Sequence, residues 1–134
     1  MTESPSRMNI FLIEDDEIYA EFVKKALGNS NPDYKISTFT SAEDALKAIN
    51  GKLPDVMIVD YNLPGMSGID LYENLKSRIT DANKVIMLSA LDDGNMVLSF
   101  IQRGVRDYVI KDESVIESLG AVLEGKEDDY YLFS

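Results

Sequence analysis

Four short apolar runs end in residues able to do chemistry. Glu14-Asp15-Asp16-Glu17 follow residues 10–13, Asp60 follows 56–59, Ser89 follows 85–88 and Lys111 follows 108–110. Carboxylates are hard oxygen donors and suit Mg²⁺, which keeps several waters and takes one or two acidic ligands. A carboxylate beside such a cation, an ammonium and a hydroxyl is suited to accept a phosphoryl group, because an anionic nucleophile approaches anionic phosphorus only once charge is screened. Asp60 is the nucleophile in this reading, and Lys111 is a second positive centre. If the first and third strands are neighbours, Glu14, Asp15 and Asp60 converge on one pocket, where mutual repulsion raises their pKa values unless a cation sits among them. Residues 61–68, YNLPGMSG, form a turn-rich loop whose Pro and Gly residues fix the backbone and let the Asn62 carbonyl face the metal.

Taken singly, these residues do not identify a site. Asp60 alone reads as a loop or capping carboxylate, and the acids from Glu14 onward read as a helix start, where negative charge complements the dipole. The joint placement points to function: acid pair, acid, hydroxyl and lysine in chain order at the carboxyl ends of strands, where open α/β sheets bind ligands. Tyr108 divides evenly between edge-strand packing and a switching role. Met57, Met66, Met87 and Met96 read as core filling.

The elements that must position these groups are legible from periodicity. The apolar runs are too short for helices and rich in β-branched residues, so they are buried strands; residues 34–39, interrupted by Lys35 and Ser37, suit an edge strand. Helical patterns lie between them: 16–27 stopped by Gly28, a helix behind a Thr40-x-x-Glu43 capping box stopped by Gly51, 68–79, 93–103 stopped by Gly104, and 113–124. The alternation is (βα)5. Strands and helices alternating at this spacing require right-handed parallel crossovers with helices on both faces, a doubly wound α/β sheet in a single domain. The expected division is a tail over 1–8, the domain over 9–124 and an acidic tail over 125–134.

Composition excludes several classes. The 134 residues are 45% hydrophobic, enough for one core, and carry 13 Lys and Arg against 24 Asp and Glu, a net charge of −11 that opposes nucleic-acid backbones. Without Cys or His, disulfides, thiolate or imidazole zinc sites and His-dependent nucleophiles are impossible. No G-x-x-x-x-G-K-[ST] loop is present, which argues against a nucleotide triphosphatase. Nor is there a signal-peptide core or a membrane-length apolar run, so a cytoplasmic protein away from the membrane is expected. A haloacid-dehalogenase-like phosphatase shares the Asp, hydroxyl, Lys and Mg²⁺ set, but it carries its nucleophile in a D-x-D pair, whereas Tyr61-Asn62 follow Asp60.

Glu14-Asp15, Asp60 with Leu63-Pro64-Gly65-Met66-Ser67-Gly68, Ser89-Ala90 and Tyr108-Val109-Ile110-Lys111 together resemble the receiver domain of bacterial two-component response regulators. The resemblance covers roughly residues 9–123. It implies a flavodoxin-like parallel sheet in the order 2-1-3-4-5, as in a chemotaxis receiver. It implies phosphorylation of Asp60 by a sensor histidine kinase or a histidine phosphotransfer protein. Mg²⁺ would be held at Glu14 and Asp15, with Asp15 and Asp60 as direct ligands and Asn62 giving its carbonyl. Ser89 and Lys111 would bind phosphoryl oxygens, and Tyr108 would turn inward on activation. Asn62 and Leu91 would tune the phosphoryl lifetime. The chain would then catalyse only its own phosphorylation and dephosphorylation, and would signal to an output protein or fused effector domain through the face formed by helix 4, strand 5 and helix 5. The alternative is a receiver fold that docks without phosphorylation. One departure stands out: Asp112 follows Lys111 where such receivers usually carry proline. Another is Arg106-Asp107, in place of the paired acids of one large class of DNA-binding regulators, which puts that class's dimer contacts in doubt.

Overall fold

In the computed structural model, which describes residues 7–90 and 94–125, five parallel strands stand in the order β2-β1-β3-β4-β5. The strands are β1 (Met8–Ile13), β2 (Tyr34–Phe39), β3 (Val56–Asp60), β4 (Lys84–Ser89) and β5 (Asp107–Ile110). The helices are α1 (Glu17–Ser30), α2 (Ala42–Ala48), α3 (Gly68–Leu75), α4 (Gly94–Gln102) and α5 (Val115–Leu123), with a 3-10 turn over Lys76–Arg78 after α3. The expected order and the edge position of β2 are both observed. No helix among the described residues is long and apolar enough to cross a membrane.

Side chains that alternate along each strand supply both faces of the sheet. Ile10, Leu12, Ile58 and Leu88 pack with Val23, Leu27 and Leu119 beneath α1 and α5, whereas Ile13, Met57, Val59 and Met87 pack with Leu71, Leu75 and Phe100 beneath α3 and α4. All five residues of the central strand β3 are buried, so it reads as a continuous apolar run ending in an acid. Met57 and Met87 are core residues, as their spacing suggests.

Several helix ends differ from the sequence expectation. Gly28 does not stop α1: the helix continues to Ser30, and the Asn31 N–H closes the last turn on the Leu27 carbonyl. An interior Gly costs about 1 kcal/mol, less than the gain from burying a residue such as Leu27. The cap of α2 is Ser41, whose hydroxyl accepts the Asp44 N–H, rather than Thr40. Glu43 is drawn away from a capping box and accepts the Met66 N–H at 3.1 Å, tying α2 to the loop after β3. Gly51, expected to end α2, lies three residues beyond Ala48, and α3 narrows to 3-10 geometry before Ile79.

Candidate functional site

Register brings the chemistry together. Ile13 pairs with Val59 and Asp60 with Leu88, so the residue after β1, Glu14, comes level with Asp60 at the carboxyl edge. Ser89 pairs with Ile110, which places Lys111 next along that edge, with its N–H on the Ser89 carbonyl at 2.8 Å. The sequence-level condition that strands one and three be neighbours is met.

Lys111 Nζ donates to Glu14 Oε1 and, at 3.0 Å, to Asp60 Oδ2. It is thus the cation within the acid cluster. Glu14 is 1% exposed; its second oxygen accepts the Asp16 N–H at 3.2 Å. Burial first, and then the neighbouring Asp60, push the Glu14 carboxyl up to about 7 against the pull of Lys111. Burial alone lowers the Lys111 pKa, but its hydrogen bonds to Glu14 and Asp60 outweigh that and raise it. Glu14, Asp15 and Asp60 each offer an oxygen within 4.8 Å of the others, and Asp15 is exposed to solvent. Both oxygens of Glu14 and both of Asp60 are engaged inside the protein, and Asp15 is the acid of the three that faces solvent.

The acidic run divides its labour. Asp16 is the cap of α1, its carboxylate accepting the N–H groups of Ile18 and Tyr19 at 3.0 and 3.1 Å. The Asn62 N–H donates to Asp60 Oδ1 at 3.0 Å, so the loop after β3 fixes the carboxylate, while the Asn62 side chain is exposed. Ser89 is buried, and its hydroxyl donates to Met96 Sδ at 3.2 Å. Tyr108 is half-buried and packs against the core beneath α3 and α4. Leu91 lies outside the described residues. Asp112, in place of proline, accepts the Ser114 N–H at 2.9 Å and so turns the chain into α5; every peptide bond among the described residues is trans.

Two supporting residues escaped the sequence reading. A Cβ built on Gly68 would sit 2.4 Å from the Asp60 carbonyl oxygen, so the absence of a side chain lets α3 start against the peptide that carries Asp60. The glycine was visible as a helix start; its closeness to Asp60 is tertiary. Tyr19 places its ring centroid 4.8 Å from Lys111 Nζ. Helical phase puts residue 19 on the inner side of the first turn, but no local pattern tells that Lys111 arrives there.

A sequence model of the family described as the response regulator receiver domain matches residues 10–123. The transcriptional regulatory protein DegU of Brevibacillus brevis is 27% identical over 124 residues, which span 90% of this chain and 52% of DegU. The receiver domain of a Francisella response regulator superposes with a TM-score of 0.76 at 26% identity, covering 92% of this chain and 98% of that one. The BeF3 activated receiver domain of DrrB, a Thermotoga maritima response regulator, gives 0.72 at 27% identity and covers 87% of this chain and 97% of its own. The chain spans about half the length of the curated relatives it matches. These matches displace the haloacid-dehalogenase-like alternative. Family, sheet order and an acidic pocket at the carboxyl edge agree: this chain belongs to the receiver domain family of two-component response regulators.

Proposed function

We propose that this chain is a phosphorylation switch in which Asp60 takes its phosphoryl group from the phosphohistidine of a sensor histidine kinase or a histidine phosphotransfer protein. An Asp60 carboxylate oxygen forms the new bond to phosphorus. The phosphorus–nitrogen bond of the donor breaks, and its electron pair stays on the imidazole nitrogen. The observation that carries this reading is the Lys111 ammonium 3.0 Å from Asp60 Oδ2, in a pocket shared with Glu14 and Asp15. It stands ready to take up charge on the incoming phosphoryl oxygens. A structural relative known as a BeF3 activated receiver supports it, because trifluoroberyllate has the tetrahedral shape and negative charge of a phosphoryl group on a carboxylate.

The donor set fits a hard divalent cation: three carboxylates have oxygen donors close enough to share an ion, and two of them also meet the Lys111 ammonium. Asp15, Asp60 and the Asn62 carbonyl would hold Mg²⁺, with Glu14 behind them. Bound there, Mg²⁺ supplies charge neutralisation at the phosphoryl group. For Ser89 to donate to a phosphoryl oxygen, its hydroxyl must leave Met96, a residue of α4. That exchange couples the phosphorylated state to α4, and Tyr108, moving further inward, couples it to β5. The output face is α4, β5 and α5, where Leu98 and Ile101 are exposed apolar residues. An output protein or a fused effector domain reads that face; in the transcriptional regulatory protein DegU the matched region is 52% of the chain. The chain acts catalytically only on its own phosphorylation and dephosphorylation, in the cytoplasm, with residues 9–124 as the working unit. Asn62 borders the path of the hydrolytic water.

Incubation with acetyl phosphate and Mg²⁺, followed by intact-mass spectrometry, should show one added phosphoryl group that is labile in base and absent from Asp60→Asn. Equal labelling of that variant would overturn the assignment.

A further inference from the structure

Lys111 has a third neighbour besides Glu14 and Asp60. Its Nζ stands 4.8 Å from the ring centroid of Tyr19, within the range where the negative face of an aromatic ring attracts a cation. The ring is itself well placed. The Tyr19 N–H is tied to the Asp16 cap, and the side chain packs against the core beneath α1 and α5 and against Phe22, with ring centroids 5.9 Å apart. The Tyr19 hydroxyl, by contrast, is buried and finds no hydrogen-bond partner among the described residues. The face of the ring is therefore the part with work to do, since an unpaired buried hydroxyl adds only a desolvation cost.

A ring has an advantage over a further carboxylate here. When Asp60 is phosphorylated, the charge that Lys111 answers moves from a carboxylate oxygen to phosphoryl oxygens farther out. A neutral π face attracts the ammonium without competing as an anion, and so steadies it while its partner changes.

We propose that Tyr19 is a positioning residue whose ring face holds the Lys111 ammonium at the phosphoacceptor pocket. The inference rests on the roles given above to Asp60 and Lys111.

The test measures the rate of labelling by acetyl phosphate with Mg²⁺ in the full chain for Tyr19→Phe and Tyr19→Leu, each with Lys111 intact and in a Lys111→Met background. Tyr19→Phe should label at the parent rate and melt no lower. Tyr19→Leu should label roughly three- to tenfold more slowly, the rate equivalent of a partly exposed cation–π contact. In the Lys111→Met background the two variants should be indistinguishable. Parent-like labelling by Tyr19→Leu, equal slowing with and without Lys111, or a Tyr19→Phe as slow as Tyr19→Leu would each overturn the proposal. If Lys111→Met itself labels at the parent rate, the role of Lys111 fails and that of Tyr19 with it, an outcome separable from the failure of Tyr19 alone. A lysine-labelled NMR spectrum of the parent protein gives a reading free of rates and of folding defects. The Lys111 ε-methylene protons should be shifted upfield by the ring current, and an unshifted resonance would refute the contact.

Discussion

Replacing Gly68 by Ala should damage both the fold and the site, and the structure sets the scale. The new methyl carbon would lie 2.4 Å from the Asp60 carbonyl oxygen and 3.1 Å from the Asp60 carbonyl carbon and the Tyr61 Cα, all backbone atoms. None of these can rotate away as a side chain would. Relief requires α3 and the Asp60–Tyr61 peptide to part by several tenths of an ångström, stretching the 3.2 Å bond from the Gly68 N–H to the Tyr61 carbonyl. Overpacking of this kind typically costs 1–3 kcal/mol, and rigid opposition puts this case toward the upper end, about 2–3 kcal/mol. Because the displaced peptide carries the phosphoacceptor, labelling should also slow; a misplacement of about 1 Å at a reacting group can cost on the order of a hundredfold. Gly28→Ala is the matched control. It lies within α1 with nothing within 4 Å of the added carbon, and should gain about 0.5–1 kcal/mol through helix propensity. Urea unfolding and acetyl phosphate labelling of both variants decide the matter. A Gly68→Ala protein with parent stability and parent labelling would refute the argument that α3 is seated directly on the Asp60 peptide.

Glu14, lifted to about 7 chiefly by burial, binds a proton more tightly folded than unfolded. Its contribution is therefore full below its unfolded pKa near 4.5 and is lost as pH rises through about 7, a swing of roughly 3 kcal/mol at 1.36 kcal/mol per unit. Urea melts in chelator should show metal-free stability falling across that window in the parent and much less in Glu14→Gln; superimposable pH profiles would count against it. Mg²⁺ should raise the melting temperature, since an ion at a hundred times its Kd adds about 2.7 kcal/mol. Asp15→Ala should remove most of that increment, and an unchanged Mg²⁺ titration would place the ion elsewhere.

The site was legible in outline because buried parallel strands write themselves as apolar runs, and the residue that ends each run falls on the ligand-binding edge. Asp60 after 56–59 and Lys111 after 108–110 could be placed by that rule alone. What could not be read was which groups pair within the pocket. The expected rise in carboxylate pKa is seen at Glu14, through burial first and Asp60 second, even though the Lys111 ammonium, 97 residues from Glu14, reaches into the same pocket. Helix ends were less legible for a different reason. Thr40 and Ser41 are both of a capping type, and the cap is Ser41, while Glu43 bonds a loop 23 residues away. Tyr19 had no local signature because its significance depends on a lysine from the far end of the chain.

The register of the sheet also orders the events by which the pocket comes into being. β4 and β5 pair Ile86 with Asp107, 21 residues along, whereas β1 and β3 pair Ile10 with Val56, 46 residues along. Closing the longer loop costs about 0.7 kcal/mol more in chain entropy, which favours late zippering of the β1–β3 seam. Asp60 and Lys111 stand on one side of that seam, Glu14 and Asp15 on the other. A chain caught part-way through folding, with β3, β4 and β5 already joined, would hold a nucleophile and its ammonium without the acids that gather the metal. On the proposed function, the competence to be phosphorylated would thus be acquired with the closing of the sheet.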